Sequence, residues 1–138
     1  MKNGELQNFE LQNMERKYDL DERCVIFSAA VLVYVDRMPK TEAGKHMGRQ
    51  LLRSGTSTAL HYGEVQGAES QADFIHKMRI ALKELRESRN NLRVQFVAKL
   101  MDGGAKENAW LLDECVELVA IFAASVKTAE RNKGKDKK

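Results

Sequence analysis

The sequence is poor in residues that break or cross-link a chain: its 138 residues include one proline, Pro39, and two cysteines, Cys24 and Cys115. A single proline leaves nearly the whole chain free to be helical, since proline both ends helices and removes a backbone donor. The cysteines lie far apart with no C-x-x-C spacing, so neither a zinc site nor a disulfide framework is indicated. Both read as small buried apolar side chains, placed toward the starts of oppositely running helices and therefore at different heights. Aromatic residues make up 7%, leaving few rings to stack on bases. The longest uncharged apolar run, residues 24–35, falls short of the roughly 20 residues that span a bilayer. A basic-then-apolar signal pattern is also lacking at the N-terminus, so a cytoplasmic protein without a membrane partner is expected.

Catalytic signatures are equally sparse. No G-x-S-x-G elbow occurs, and neither cysteine has a histidine nearby in sequence. A di-iron bundle needs two E-x-x-H pairs with two further carboxylates. Here Asp73 and His76 give one D-x-x-H and His61 and Glu64 the reversed order, with no second matching pair. No enzyme activity, metal or cofactor is expected.

What is present suits one globular domain: 43% hydrophobic and 31% charged residues over a domain-sized length. The formal charge is +3, yet residues 131–138 carry five basic side chains and one acid, a sum of +4, so the other 130 residues sum to −1. The tail alone makes the protein basic, and residues 132–138 read as a disordered basic end. Residues 1–18 lack a sustained apolar stripe and read as a loose polar leader.

Between them, residues 19–131 predict four helices. The first runs from about Asp19 to Met38, apolar over much of its girth and expected to be the most buried, with acids in its first turn and Pro39 as its stop. Thr41 caps the second, Glu42 to about Gly67, which carries Gly48, Gly55 and Gly63 at a cost of roughly 1 kcal/mol each relative to alanine. Gly55 is the position at which another helix is expected to approach closely. Ser70 and Asp73 form a capping-box-like start for the third. Along it Phe74, Met78, Ala81, Leu85, Ser88, Leu92, Phe96 and Leu100 recur at steps of three and four, ending at Gly103 and Gly104 in a left-handed cap. The fourth runs from about Glu107 to Asn132. Short connections make consecutive helices antiparallel, so the expected fold is all-α, an up-down-up-down four-helix bundle.

The most informative charge pattern is a basic stripe on helix three: Arg79, Lys83, Arg86 and Arg93 share one face. With Arg49 and Arg53 on helix two they are candidates either for nucleic-acid phosphates or for pairing between protomers. Asp113, Glu114 and Glu117 on helix four offer the complementary charge and, with Gly55, are the interface candidates.

Two segments, QLLRSGTS (Gln50–Ser57) and ADFIHKMRIALKE (Ala72–Glu84), resemble the bacterial four-helix-bundle family of the 23S ribosomal-RNA intervening-sequence proteins. The resemblance covers roughly Met14 to Arg131. It implies a small non-enzymatic bundle, similar to a pentameric accessory protein of diversity-generating retroelements, and hence a homopentamer with RNA or single-stranded DNA as a possible second partner. His61 stands where the family commonly has asparagine, and Asn90 and Asn91 where it commonly has an aromatic pair.

Overall fold

A computed structural model describes residues 19–101 and 103–136. The leader expected over 1–18 and the last two residues of the expected tail lie outside the described residues. Among the described residues four helices follow one another: α1 Leu20–Asp36, α2 Glu42–Gln66, α3 Gln71–Ala98 and α4 Ala105–Asp136.

Local chemistry sets the starts of the first three helices. The Asp19 carboxylate accepts from the Glu22 backbone N–H at 3.0 Å, the Thr41 hydroxyl from Gly44 at 3.1 Å and the Ser70 hydroxyl from Asp73 at 3.0 Å. Each satisfies a first-turn donor that has no partner within its helix. Asp73 also accepts from the Glu69 N–H at 3.2 Å, tying the chain before the cap to the first turn. α1 ends at Asp36, two residues before the expected Met38, where Arg37 and Met38 donate back to the carbonyls of Tyr34 and Val35. The Pro39 turn then folds tightly onto α2: a Cβ on Gly44 would stand 2.0 Å from the Pro39 carbonyl oxygen, so no larger residue fits there.

α3 ends earlier than expected. The left-handed residue is Lys99, φ 53°, rather than a glycine, and Leu100 donates to Gln95 in the reversal that follows. A left-handed non-glycine residue costs roughly 1–2 kcal/mol. Leu100, packed against the core just beyond the turn, supplies the hydrophobic contact that accompanies such caps. α4 continues to Asp136, past the expected end at Asn132, so the start of the expected tail is helical. Its lysines are good helix formers and suit the negative end of the helix dipole.

Cross-helix bonds show the packing. Cys115 Sγ donates to Leu85 O, Asn108 Nδ2 to Leu92 O and Gln71 Nε2 to Ala129 O, so α3 and α4 run antiparallel over most of their length. α2 packs along α1 and α3, and α1 closes the bundle against α4 over a smaller seam. The bundle is all-α with up-down-up-down order, as the pattern predicts. Its core mixes aliphatic, aromatic and sulfur-bearing side chains, with Phe27, Val31, Leu51, Met78, Leu85, Leu92, Leu111, Leu118 and Phe122 almost fully enclosed.

α1 has the largest buried share of the four helices, as expected, although Val25 and Leu32 on its outer side are about half exposed, at 46% and 53%. Two sequence expectations change. Phe96 is 56% exposed and Gln95 is buried in its place. The cause is rotational, since each step of four residues overshoots one turn by about 40°, and the successive steps Ser88, Leu92, Phe96 carry the stripe off the core. Finally, Arg23 bonds Glu114, so Cys24 and Cys115, their sequence neighbours, stand at a common height on α1 and α4; both are free and buried.

Gln95 is tolerated inside because both polar atoms of its amide have a partner. Asn108 Nδ2 donates to Tyr34 OH at 3.2 Å, and Tyr34 OH donates to Gln95 Oε1 at 2.7 Å. Gln95 Nε2 donates to Asn91 Oδ1 at 2.6 Å, and Asn91 Nδ2 to Met47 O at 3.1 Å. One hydrogen-bonded chain thus threads all four helices, with Asn91 as one of its links. Burial raises the Tyr34 hydroxyl above its ordinary pKa, against the hydrogen bond from Asn108, which lowers it.

Candidate functional site

The basic stripe of α3 forms one wall of a groove. Arg79, Lys83, Arg86 and Asn90 line it from α3, and Ala120, Ala123, Ala124 and Lys127 from α4. Helical spacing explains both walls: residues three and four apart share a face, so the α3 wall and the i, i+3, i+4, i+7 set on α4 each present one surface. Short side chains on α4 keep the floor low, while long cations rise along the α3 edge. Sequence reasoning found the α3 wall and missed the floor and Lys127, although the run of small residues at helical spacing in α4 was there to read.

The six candidate cations do not converge on one place. Arg79 is ion-paired with Glu130 of α4. Arg53 bonds Glu84 at 3.1 Å and Glu87 at 2.8 Å across the α2–α3 seam; the Glu87 hydrogen bond foremost, then the charge of Glu84, holds its guanidinium above the ordinary pKa. Arg93 continues the stripe beyond the groove, donating to Asn90 at 3.5 Å, a long contact. Arg49 is exposed on α2 and is not part of the groove wall. Among the described residues Arg49, Lys83, Arg86, Arg93 and Lys127 have no carboxylate within 4.0 Å.

The acids separate as well. Glu114 is buried and bonds Arg23 of the same chain, which also reaches Glu117 at 3.0 Å. Burial alone would lower the pKa of Arg23, but the hydrogen bonds and charges of the two glutamates outweigh it and the value is raised. Both glutamates therefore serve the short α1–α4 seam inside one protomer, whereas Asp113 is exposed and unpaired among the described residues. Gly55 also faces its own chain: an added Cβ would stand 2.8 Å from both Val31 methyls, and Ser28 Oγ donates to the Gly55 carbonyl at 3.0 Å. The expected close approach is real, and the helix that makes it is α1.

Burial pushes the thiols of Cys24 and Cys115 up to about 12, so neither is a nucleophile near neutral pH. Asp73 bonds Lys77 at 3.0 Å rather than His76, and His61 lies 3.9 Å from Glu64. Among the described residues no group of three or more His, Cys, Asp or Glu side chains is placed to hold a metal ion, and no helix is long and apolar enough to cross a membrane.

A crystal structure of a protein of unknown function from the S23 ribosomal protein family of Bacteroides thetaiotaomicron is similar in fold, with a TM-score of 0.71 at 24% identity over 78% of this chain and 98% of that one. At that identity the likeness speaks for the fold alone. No curated protein matches the sequence. The model of the 23S rRNA-intervening sequence protein family matches residues 16–124, which take in α1 to α3, most of α4 and both segments that carried the resemblance, and the chain belongs to that family.

Proposed function

We propose that this protein is a non-enzymatic, self-assembling scaffold or binding module, a homo-oligomer for which the family resemblance implies five copies. The observation that carries the reading is the apolar outer face of α1 and α2. Ser28 bonds Gly55 across the seam of these helices. Val25 and Leu32 stand three residues before and four after Ser28, and Leu52 stands three before Gly55, so all three flank that seam on its outer side. They are 46%, 53% and 36% exposed, and Leu60 further along α2 is 73% exposed. A cluster of large apolar side chains facing water marks an interaction surface.

A second reading rests on a different observation, the cations Arg49, Lys83, Arg86 and Arg93 that have no acidic partner among the described residues: an RNA- or DNA-binding module that uses the basic faces of α2 and α3. Light scattering at several salt concentrations, with and without RNA, separates the two. An oligomeric mass that does not change with RNA supports the scaffold. Replacing Arg79, Arg86 and Arg93 together by glutamine sharpens the comparison. Loss of assembly supports protomer pairing, whereas an intact oligomer with weaker RNA binding and a flatter salt slope supports phosphate contacts.

A further inference from the structure

We propose that copies of this chain join head to tail, with the outer ridge of α1 from one copy lying in the α3–α4 groove of the next. The proposal rests on the self-assembly reading above and names its interface. The ridge is Glu22, Val25, Ala29, Leu32 and Asp36, spaced three, four, three and four, so the five residues form one straight stripe. Its centre is apolar and exposed at Val25 and Leu32, and it carries an acid at each end. Neither Glu22 nor Asp36 has a basic partner within 4.0 Å among the described residues.

The groove is its complement in shape, polarity and sign. Alanines at 120, 123 and 124 make a low apolar floor, which lets a helix approach to the short end of the usual 8–10 Å interaxial range. Lys83, Arg86 and Lys127 line the walls with no carboxylate of the described residues within 4.0 Å, and the one acid in the lining, Glu87, is bonded to Arg53 at 2.8 Å. The lengths are close. The ridge is the longer by a little: fourteen residues from Glu22 to Asp36 rise about 21 Å against about 16 Å for the eleven from Arg79 to Asn90. Its apolar centre therefore covers the floor and its acids stand just past the two ends, where only long cationic side chains extended along the groove reach them. Ridge and groove are different surfaces of one protomer, so the contact is heterologous: every copy offers one of each, and the chain of contacts closes into a ring if the rotation between neighbours allows. The charged ends fix direction and register, and the apolar centre supplies area removed from water.

A charge exchange tests this. One variant carries Lys83→Glu, Arg86→Glu and Lys127→Glu in the groove, and a second carries Glu22→Lys and Asp36→Lys on the ridge. Circular dichroism melts confirm that both fold, since every substituted side chain reaches solvent. Each variant alone meets itself with like charges and is expected to sediment as a monomer. An equimolar mixture restores opposite charges at every contact between unlike variants and is expected to regain association in alternating order, as open chains or even-numbered rings, since a five-membered ring cannot alternate. An oligomeric wild type whose variants keep its mass, or whose mixture stays monomeric, overturns this interface and leaves self-assembly standing. A monomeric wild type removes the underlying reading itself. A groove variant that stays oligomeric yet loses RNA binding assigns the groove to nucleic acid and also overturns the proposal.

Discussion

Tyr34 on α1 and Gln95 on α3 are joined by a buried 2.7 Å hydrogen bond at the centre of a polar chain that touches all four helices. Tyr34→Phe keeps the ring and removes the hydroxyl, leaving Gln95 Oε1 without its donor and Asn108 Nδ2 without one of its acceptors. Buried groups stripped of a partner cost about 1–3 kcal/mol, so urea unfolding should show a loss of that size. A loss under about 0.5 kcal/mol would mean that the layer is satisfied by other means.

Gly55 is held small by Val31. Gly55→Ala would gain roughly 1 kcal/mol of helix propensity on an isolated helix. Here the new Cβ meets both Val31 methyls at 2.8 Å, so overpacking dominates and a net loss of about 1–3 kcal/mol is expected. Adding Val31→Ala should recover much of it. A double mutant whose losses simply add would contradict the contact.

Leu85 and Phe96 lie on the same helix and were read from the same apolar spacing, yet the fold separates them. Leu85 is fully buried, so Leu85→Ala should cost about 2–5 kcal/mol. Phe96 is 56% exposed, so Phe96→Ala should cost under about 1 kcal/mol in a dilute, unassembled sample. Equal losses at the two positions would show that α3 is rotated from the arrangement described.

The buried thiols give a pH signature. Burial raises Cys24 and Cys115 from 9.0 in the unfolded chain to about 12 in the fold. Between those values the folded state holds more protons, so the stability they contribute is complete below about pH 9 and is lost as pH rises through about 12. The double variant Cys24→Ala, Cys115→Ala should show a flatter decline of stability above pH 9 than the wild type. Parallel declines would mean that other groups, such as Tyr34 and Tyr62, cause it.

The helices and the caps of α2 and α3 were legible because they depend on residues three or four apart. Thr41 and Gly44, or Ser70 and Asp73, find each other without any tertiary structure. The position of Phe96 was misread because a run of apolar residues four apart looks continuous on paper while drifting around the helix. The polar chain could not be read at all, since Tyr34, Asn91, Gln95 and Asn108 meet only after the helices pack. The candidate site divides in the same way. That Arg79, Lys83 and Arg86 share a face follows from spacing, but that Arg79 is answered by Glu130 and that Arg23 claims Glu114 and Glu117 depends on which helices become neighbours. The outward stripe on α1 was hidden by its own composition, because apolar residues on both sides of a helix suggest enclosure until the fold shows which side is left open.

Native mass spectrometry of the full chain at micromolar concentration tests the central claim most directly. The account predicts an assembly of five times 15.7 kDa that dissociates when Val25 and Leu32 are both changed to lysine; a single species at 15.7 kDa for the wild type would contradict it.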